Sequence, residues 1–158
     1  MLDFLPFSIG ILATTVACML LGSHVIRLCS AVLFLNWATH SSFTFATGLY
    51  DPWYFLAVLD GLSAALLLTH PASKLQVILG ATYASQILMH LAYGGLKLFG
   101  RFPDYDMYYD MLTIVAWAQL FVLGGGVSGD IGRRIYHSWS VWRLSAASPH
   151  HSDIGKFR

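Results

Sequence analysis

The side chains able to do chemistry in this chain are few, and they lie inside apolar runs. Asp60 sits near the middle of Pro52–Pro71, PWYFLAVLDGLSAALLLTHP, with Ser63 about one turn further on. Asn36 and His40 lie four residues apart, as do Gln86 and His90, so each pair shares a helix face. Gln119 adds an amide in a later apolar run. A carboxylate at the centre of a hydrocarbon layer costs at least about 3 kcal/mol, so Asp60 is expected to face protein or water. Asn36, His40, Asp60, Ser63, Gln86, His90 and Gln119 therefore form the candidate buried polar network.

Three uses of such a network are open. The first is cohesion, with the polar groups holding together helices whose apolar packing discriminates weakly. The second is proton or cation passage, with Asp60 titrating, His40 or His90 relaying and His70 near a mouth, because imidazole exchanges protons near neutral pH. The third is a haem or transition-metal site between His40 and His90, the weak metal candidates of the chain. Cohesion is the expectation; no cofactor is expected.

Motifs of other chemistry are absent. There is no Cys-x-x-Cys-His, no His-Glu-x-x-His and no G-x-S-x-G elbow, and Ser41 and Ser42 point away from their neighbour His40 on a helix. Gly124-Gly125-Gly126 lacks the lysine and spacing of a phosphate loop and reads as a helix stop. Asp104, Asp106 and Asp110 lack the alternating ligands of a calcium loop, and a solvated loop is expected there. Cys18 and Cys29 are too few for a disulfide scaffold and read as buried thiols. No catalytic residue is assigned, and the protein is not expected to be an enzyme.

The elements that position these residues follow from composition. Of 158 residues, 56% are hydrophobic and 11% charged, against the roughly 25% charge of an ordinary soluble domain. Mean hydropathy is +0.61. A net charge of +1 supplies no field for a nucleic acid. The expected fold class is all-α: a polytopic integral membrane helical bundle of about five transmembrane helices with a C-terminal interfacial amphipathic helix. The expected spans are 5–21, 25–45, 52–71, 74–94 and 111–127, making a unit over 1–130. Asp51 and Ser73 are candidate helix caps, and Gly61, Ser63, Ala64 and Gly94-Gly95 are candidate close-approach points between helices. Leu21–His24 before Arg27 faintly echoes Leu68–Pro71 before Lys74, as a duplicated hairpin would.

The tail, 131–158, carries Ile135, Trp139 and Trp142 at helical spacing among Arg133, Arg134 and Arg143, the pattern of an interfacial helix. Ser148 to Ser152, with its adjacent histidines, reads as a flexible end. MLDFLPF has no basic residue for a secretory leader, so the first run is expected to be retained, and Cys18 is not expected to carry lipid. Lys and Arg cluster at Arg27, at Lys74 and in the tail, which places the C-terminus in the cytoplasm and the N-terminus outside a cell membrane. The expected function is that of a small non-enzymatic membrane protein, a structural or accessory subunit in a homo-oligomer or with other membrane subunits, with the lipid bilayer as partner. The alternatives are an oligomeric channel or a haem subunit.

Overall fold

A computed structural model describes residues 4–48, 52–101 and 103–147. Asp3, the expected Asp51 cap and the end from Ser148 onward lie outside the described residues. The regular structure is helical throughout: α1 Phe4–Leu21, α2 His24–Thr47, α3 Trp53–Leu68, α4 Lys74–Leu98 and α5 Tyr105–Ala147.

Local chemistry fixes the ends. Gly22 closes α1 through its N–H to the Cys18 carbonyl at 2.9 Å. A side chain at Gly22 would press on that carbonyl and on Ile26, so only glycine fits the turn. Gly48 ends α2 in the left-handed region, φ 66°, its N–H on the Thr44 carbonyl. Ser73 caps α4 by accepting from the Gln76 N–H at 3.3 Å, while Gln76 Oε1 accepts from the Ala72 N–H at 2.6 Å. This reciprocal pattern is close to a capping box. Asp104 caps α5 by accepting from the N–H groups of Asp106 and Met107 at 3.0 and 3.1 Å, which suits the positive end of the helix dipole.

The tightest helix pair is α3 with α4. Gly94 lies against the Trp53 ring at the start of α3, and Gly80 lies against Leu68 at its end. Two glycines fourteen residues apart share one face of α4, so α3 lies antiparallel in a groove they open. Gly61 makes no such approach: its nearest neighbour is Ile87, at an ordinary 3.8 Å from where a Cβ would stand. Ile11, Cys18, Ile26, Cys29, Leu33, Leu67, Leu79, Tyr83, Leu120, Leu123 and Val127 complete one core with contributions from every helix.

The expectation of five membrane spans is corrected by these helices. Among the described residues, only Lys74–Leu98 and Tyr105–Arg143 combine the length and apolarity of a membrane crossing, and buried core helices have the same signature. The 16 residues of α3 give about 24 Å at 1.5 Å per residue, short of the ~30 Å hydrocarbon layer. His24, Arg27, Asn36 and His40 dilute the apolarity of α2. The structure is an all-α, five-helix bundle whose polar groups meet one another inside one chain. The lipid-embedded oligomer, the multi-pass cell-membrane location and the orientation with the N-terminus outside fall with the five spans, since that orientation counted loop charges alternating across them.

The separate interfacial helix is corrected too, because α5 runs unbroken from 105 to 147 through the glycine triplet. Three glycines cost about 1 kcal/mol each in a helix. Burying Leu120, Leu123 and Val127 on one face returns about 1.5–3 kcal/mol each, so packing wins. Beyond the bundle Ile135, Trp139 and Trp142 are exposed, and the Arg143 guanidinium lies 3.6 Å from the centre of the Trp139 ring.

A polar clasp ties α5 to the α1–α2 turn. Asp130 accepts the Ser23 N–H at 2.9 Å and pairs with Arg133. Hydrogen bonding from Ser23, with Arg133 adding and burial opposing, holds the Asp130 carboxyl below its usual range. Its contribution is therefore present above the ordinary aspartate pKa and is lost as pH falls through the native value.

Two predictions follow from this packing. Gly94→Ala is expected to lower stability by about 1–3 kcal/mol by overpacking against Trp53, whereas Gly125→Ala, which meets nothing within 4 Å, raises it by up to about 1 kcal/mol; denaturant midpoints measure both. Asp130→Ala is expected to lower the melting temperature at neutral pH, with variant and parent converging in acid.

Candidate functional site

Three helices converge on Asp60, and a fourth joins through His90. Asn36 of α2 donates from Nδ2 to Asp60 Oδ1 at 2.9 Å and to Ser63 Oγ at 3.0 Å, and Ser63 donates to the Leu59 carbonyl at 3.0 Å. His90 Nε2 of α4 lies 2.9 Å from Asp60 Oδ2, and His90 Nδ1 lies 2.5 Å from Tyr108 Oη at the start of α5. Asp60 and His90 are 5% and 2% exposed, and Tyr108 is half-buried.

The partners fix the direction of each bond. A carboxylate only accepts, so His90 Nε2 carries a hydrogen and donates to Asp60. In the neutral imidazole Nδ1 holds the lone pair and accepts the Tyr108 hydroxyl. The chain is Tyr108 to His90 to Asp60, with Asn36 donating to the second carboxylate oxygen. It can pass a proton from phenol to imidazole, and the imidazolium formed becomes the positive half of a buried ion pair with Asp60.

Other expected members stand elsewhere. Gln119 donates to Gln86 Oε1 at 3.1 Å and to Thr82 Oγ1 at 3.0 Å, forming a neutral cluster between α4 and α5. His40 makes no hydrogen bond to a described residue; burial lowers its pKa, with Asp60 opposing and His90 adding. The single network expected from the sequence is thus two clusters with His40 beside the charged one.

This geometry corrects the functional expectations. Both ring nitrogens of His90 are engaged, by Asp60 and Tyr108. Among the described residues no group of three His, Cys, Asp or Glu side chains forms a metal-ligand set. A channel lined by Asp60 is overturned because its carboxylate is enclosed by partners from its own chain. The expected subunit built on five crossings is overturned because, among the described residues, only two helices have the length and apolarity of a crossing. Of the tail residues, Arg133 pairs with Asp130 and Arg143 covers Trp139, while Arg134 and Ile135 are exposed.

Tyr108 was expected as one of the aromatic residues near a span end and not as a member of the polar network, because the fifth helix was expected to begin at Met111. The signal lay in Pro103-Asp104, a helix start that places Tyr108 in the first turn and in register with Gln119 three turns on. No family model, curated protein or solved structure matches this chain.

Asp60→Ala would leave the His90 N–H and one Asn36 N–H unmatched inside the bundle. At about 1–3 kcal/mol for each stranded donor, the expected loss is about 2–6 kcal/mol, read by chemical denaturation; a loss within experimental error would contradict the pairing.

Proposed function

We propose that this protein performs acid–base chemistry at Tyr108, with His90 as the base that takes the phenolic proton and Asp60 as the group that orients His90 and balances its charge. The observation that carries this reading is the 2.5 Å approach of Tyr108 Oη to His90 Nδ1, backed by Asp60 at 2.9 Å. The order carboxylate, imidazole, hydroxyl is the arrangement by which a base activates a weak nucleophile or acid. Here the hydroxyl is a phenol, and it is the half-buried member of a chain whose other members are enclosed.

Asn36 supports this by occupying the remaining carboxylate oxygen, which keeps Asp60 aimed at His90. The helices supply the rest of the orientation. His90 sits one turn from Gly94, where Trp53 locks α3 against α4, and Tyr108 sits in the capped first turn of α5. A rigid first turn holds the phenol at a fixed distance from its base.

Acylation by N-acetylimidazole tests the reading. As the new bond forms between Tyr108 Oη and the acetyl carbon, the phenolic proton passes to His90 Nδ1, and the imidazolium returns it to the departing nitrogen as the acetyl–nitrogen bond breaks, so that imidazole leaves. Peptide mass spectrometry is expected to show Tyr108 modified faster than the more exposed Tyr109 and Tyr136. Asp60→Asn is expected to slow that step by about 10²-fold, the low end of general-base effects, without changing the rates at Tyr109 and Tyr136. Equal rates at Tyr108 in parent and variant would rule the relay out.

A further inference from the structure

The rings around Tyr108 form a second arrangement that acid–base chemistry does not require. Tyr93 of α4, 6% exposed, stacks on Tyr108 with ring centres 4.0 Å apart and planes 14° apart. Tyr105 stands 6.4 Å from both rings, and Tyr109 stands 6.0 Å from Tyr105. Tyr105 and Tyr109 are 37% and 47% exposed. Four phenol rings thus run from the buried His90–Asp60 pair to the surface, in steps short enough for an electron to move between neighbours.

Oxidising a phenol in a protein interior demands that its proton leave with the electron, since a buried phenol radical cation carries an unpaired charge. Tyr108 has a base in hydrogen-bond contact to take that proton, and Asp60 stabilises the imidazolium that results. Lys97 disfavours the neighbouring ring as the site of the hole, because its ammonium lies 5.3 Å from the centre of Tyr93. We infer that Tyr108 is a redox-active tyrosine, oxidised through the Tyr105–Tyr109 surface by a one-electron outer-sphere oxidant.

The step balances within the named groups. One electron leaves Tyr108 for the oxidant, the Oη–H bond breaks, the proton binds His90 Nδ1, and a neutral phenoxyl radical faces an imidazolium–carboxylate pair. Re-reduction returns the electron to the ring and the proton to Oη. Asn36 keeps its bond to Asp60 throughout. This inference rests on the proposed Tyr108–His90 proton transfer and adds the electron.

The test uses the full chain with a flash-oxidised ruthenium polypyridyl complex and persulfate as sacrificial acceptor, read by electron paramagnetic resonance. A ring-fluorinated tyrosine placed at position 108 is expected to impose fluorine coupling on the radical spectrum while preserving the phenol and its packing. His90→Gln, whose amide cannot hold the proton as an imidazolium does, is expected to shorten the radical lifetime by at least about tenfold. A radical spectrum without fluorine coupling would overturn the inference, as would an unchanged lifetime in His90→Gln. Failure here, with fast Asp60-dependent acylation intact, removes the redox step alone; failure of both removes the proton relay as well.

Discussion

The bundle is organised by the need to satisfy one buried carboxylate. Asp60 lies on the shortest helix, amid leucine and alanine, where an ionised group without partners is far too costly to keep. Its partners come from α2 through Asn36, from α4 through His90, and from α5 through Tyr108 behind His90. Four of the five helices are therefore referred to a single point. The remaining helix, α1, is held by the core and by the turn that Asp130 clasps at Ser23. Apolar packing supplies most of the stabilisation of such a fold, but it is nearly indifferent to small slides of one helix along another. Directional bonds at Asp60 penalise such slides.

The glycines of α4 make that register possible. Trp53 opposite Gly94 and Leu68 opposite Gly80 set α3 antiparallel to α4 with residue 60 level with residues 87–88. His90 is within one turn of that level, and an imidazole on the facing surface spans the difference. A side chain at either glycine would push the helices apart. The polar site is thus a consequence of two backbone positions where side chains are missing, neither of which is itself polar.

Much of the secondary structure was legible in the sequence, and the reasons for the failures are specific. Helices were readable because the apolar runs are long and the punctuation at Gly22, Gly48 and Ser73 is plain. What those runs face was not readable, since a helix buried in a bundle and a helix crossing a bilayer share a composition. The glycine triplet misled because three poor helix formers in a row resemble a stop, and the buried face of Leu120, Leu123 and Val127 that carries the helix through is a tertiary fact. Asp60, Asn36 and His90 stood out because polar side chains in apolar runs need partners. Tyr108 did not, since tyrosine near a helix end has many ordinary explanations. Gly80 was overlooked for the same reason: its importance is set by Leu68, distant in the chain.

The contrast between two phenols shows what the site adds to mere burial. Tyr83 is 2% exposed, and its hydroxyl has no hydrogen-bond partner among the described residues. Burial raises its pKa, with nearby Asp60 and Cys29 adding. Among the described residues no acceptor is hydrogen-bonded to it, so Tyr83 behaves as a large core side chain. Tyr108 is less buried, yet it faces the imidazole lone pair that Asp60 has oriented. The same carboxylate that tightens the proton on one phenol opens, through His90, a path for it to leave the other. A carboxylate acting through space opposes deprotonation of a neighbouring phenol, whereas one acting through an intervening imidazole assists it. Chemical competence at this end of the bundle depends on whether a base stands between the phenol and the charge, and of these two phenols Tyr108 is the one where the fold places it.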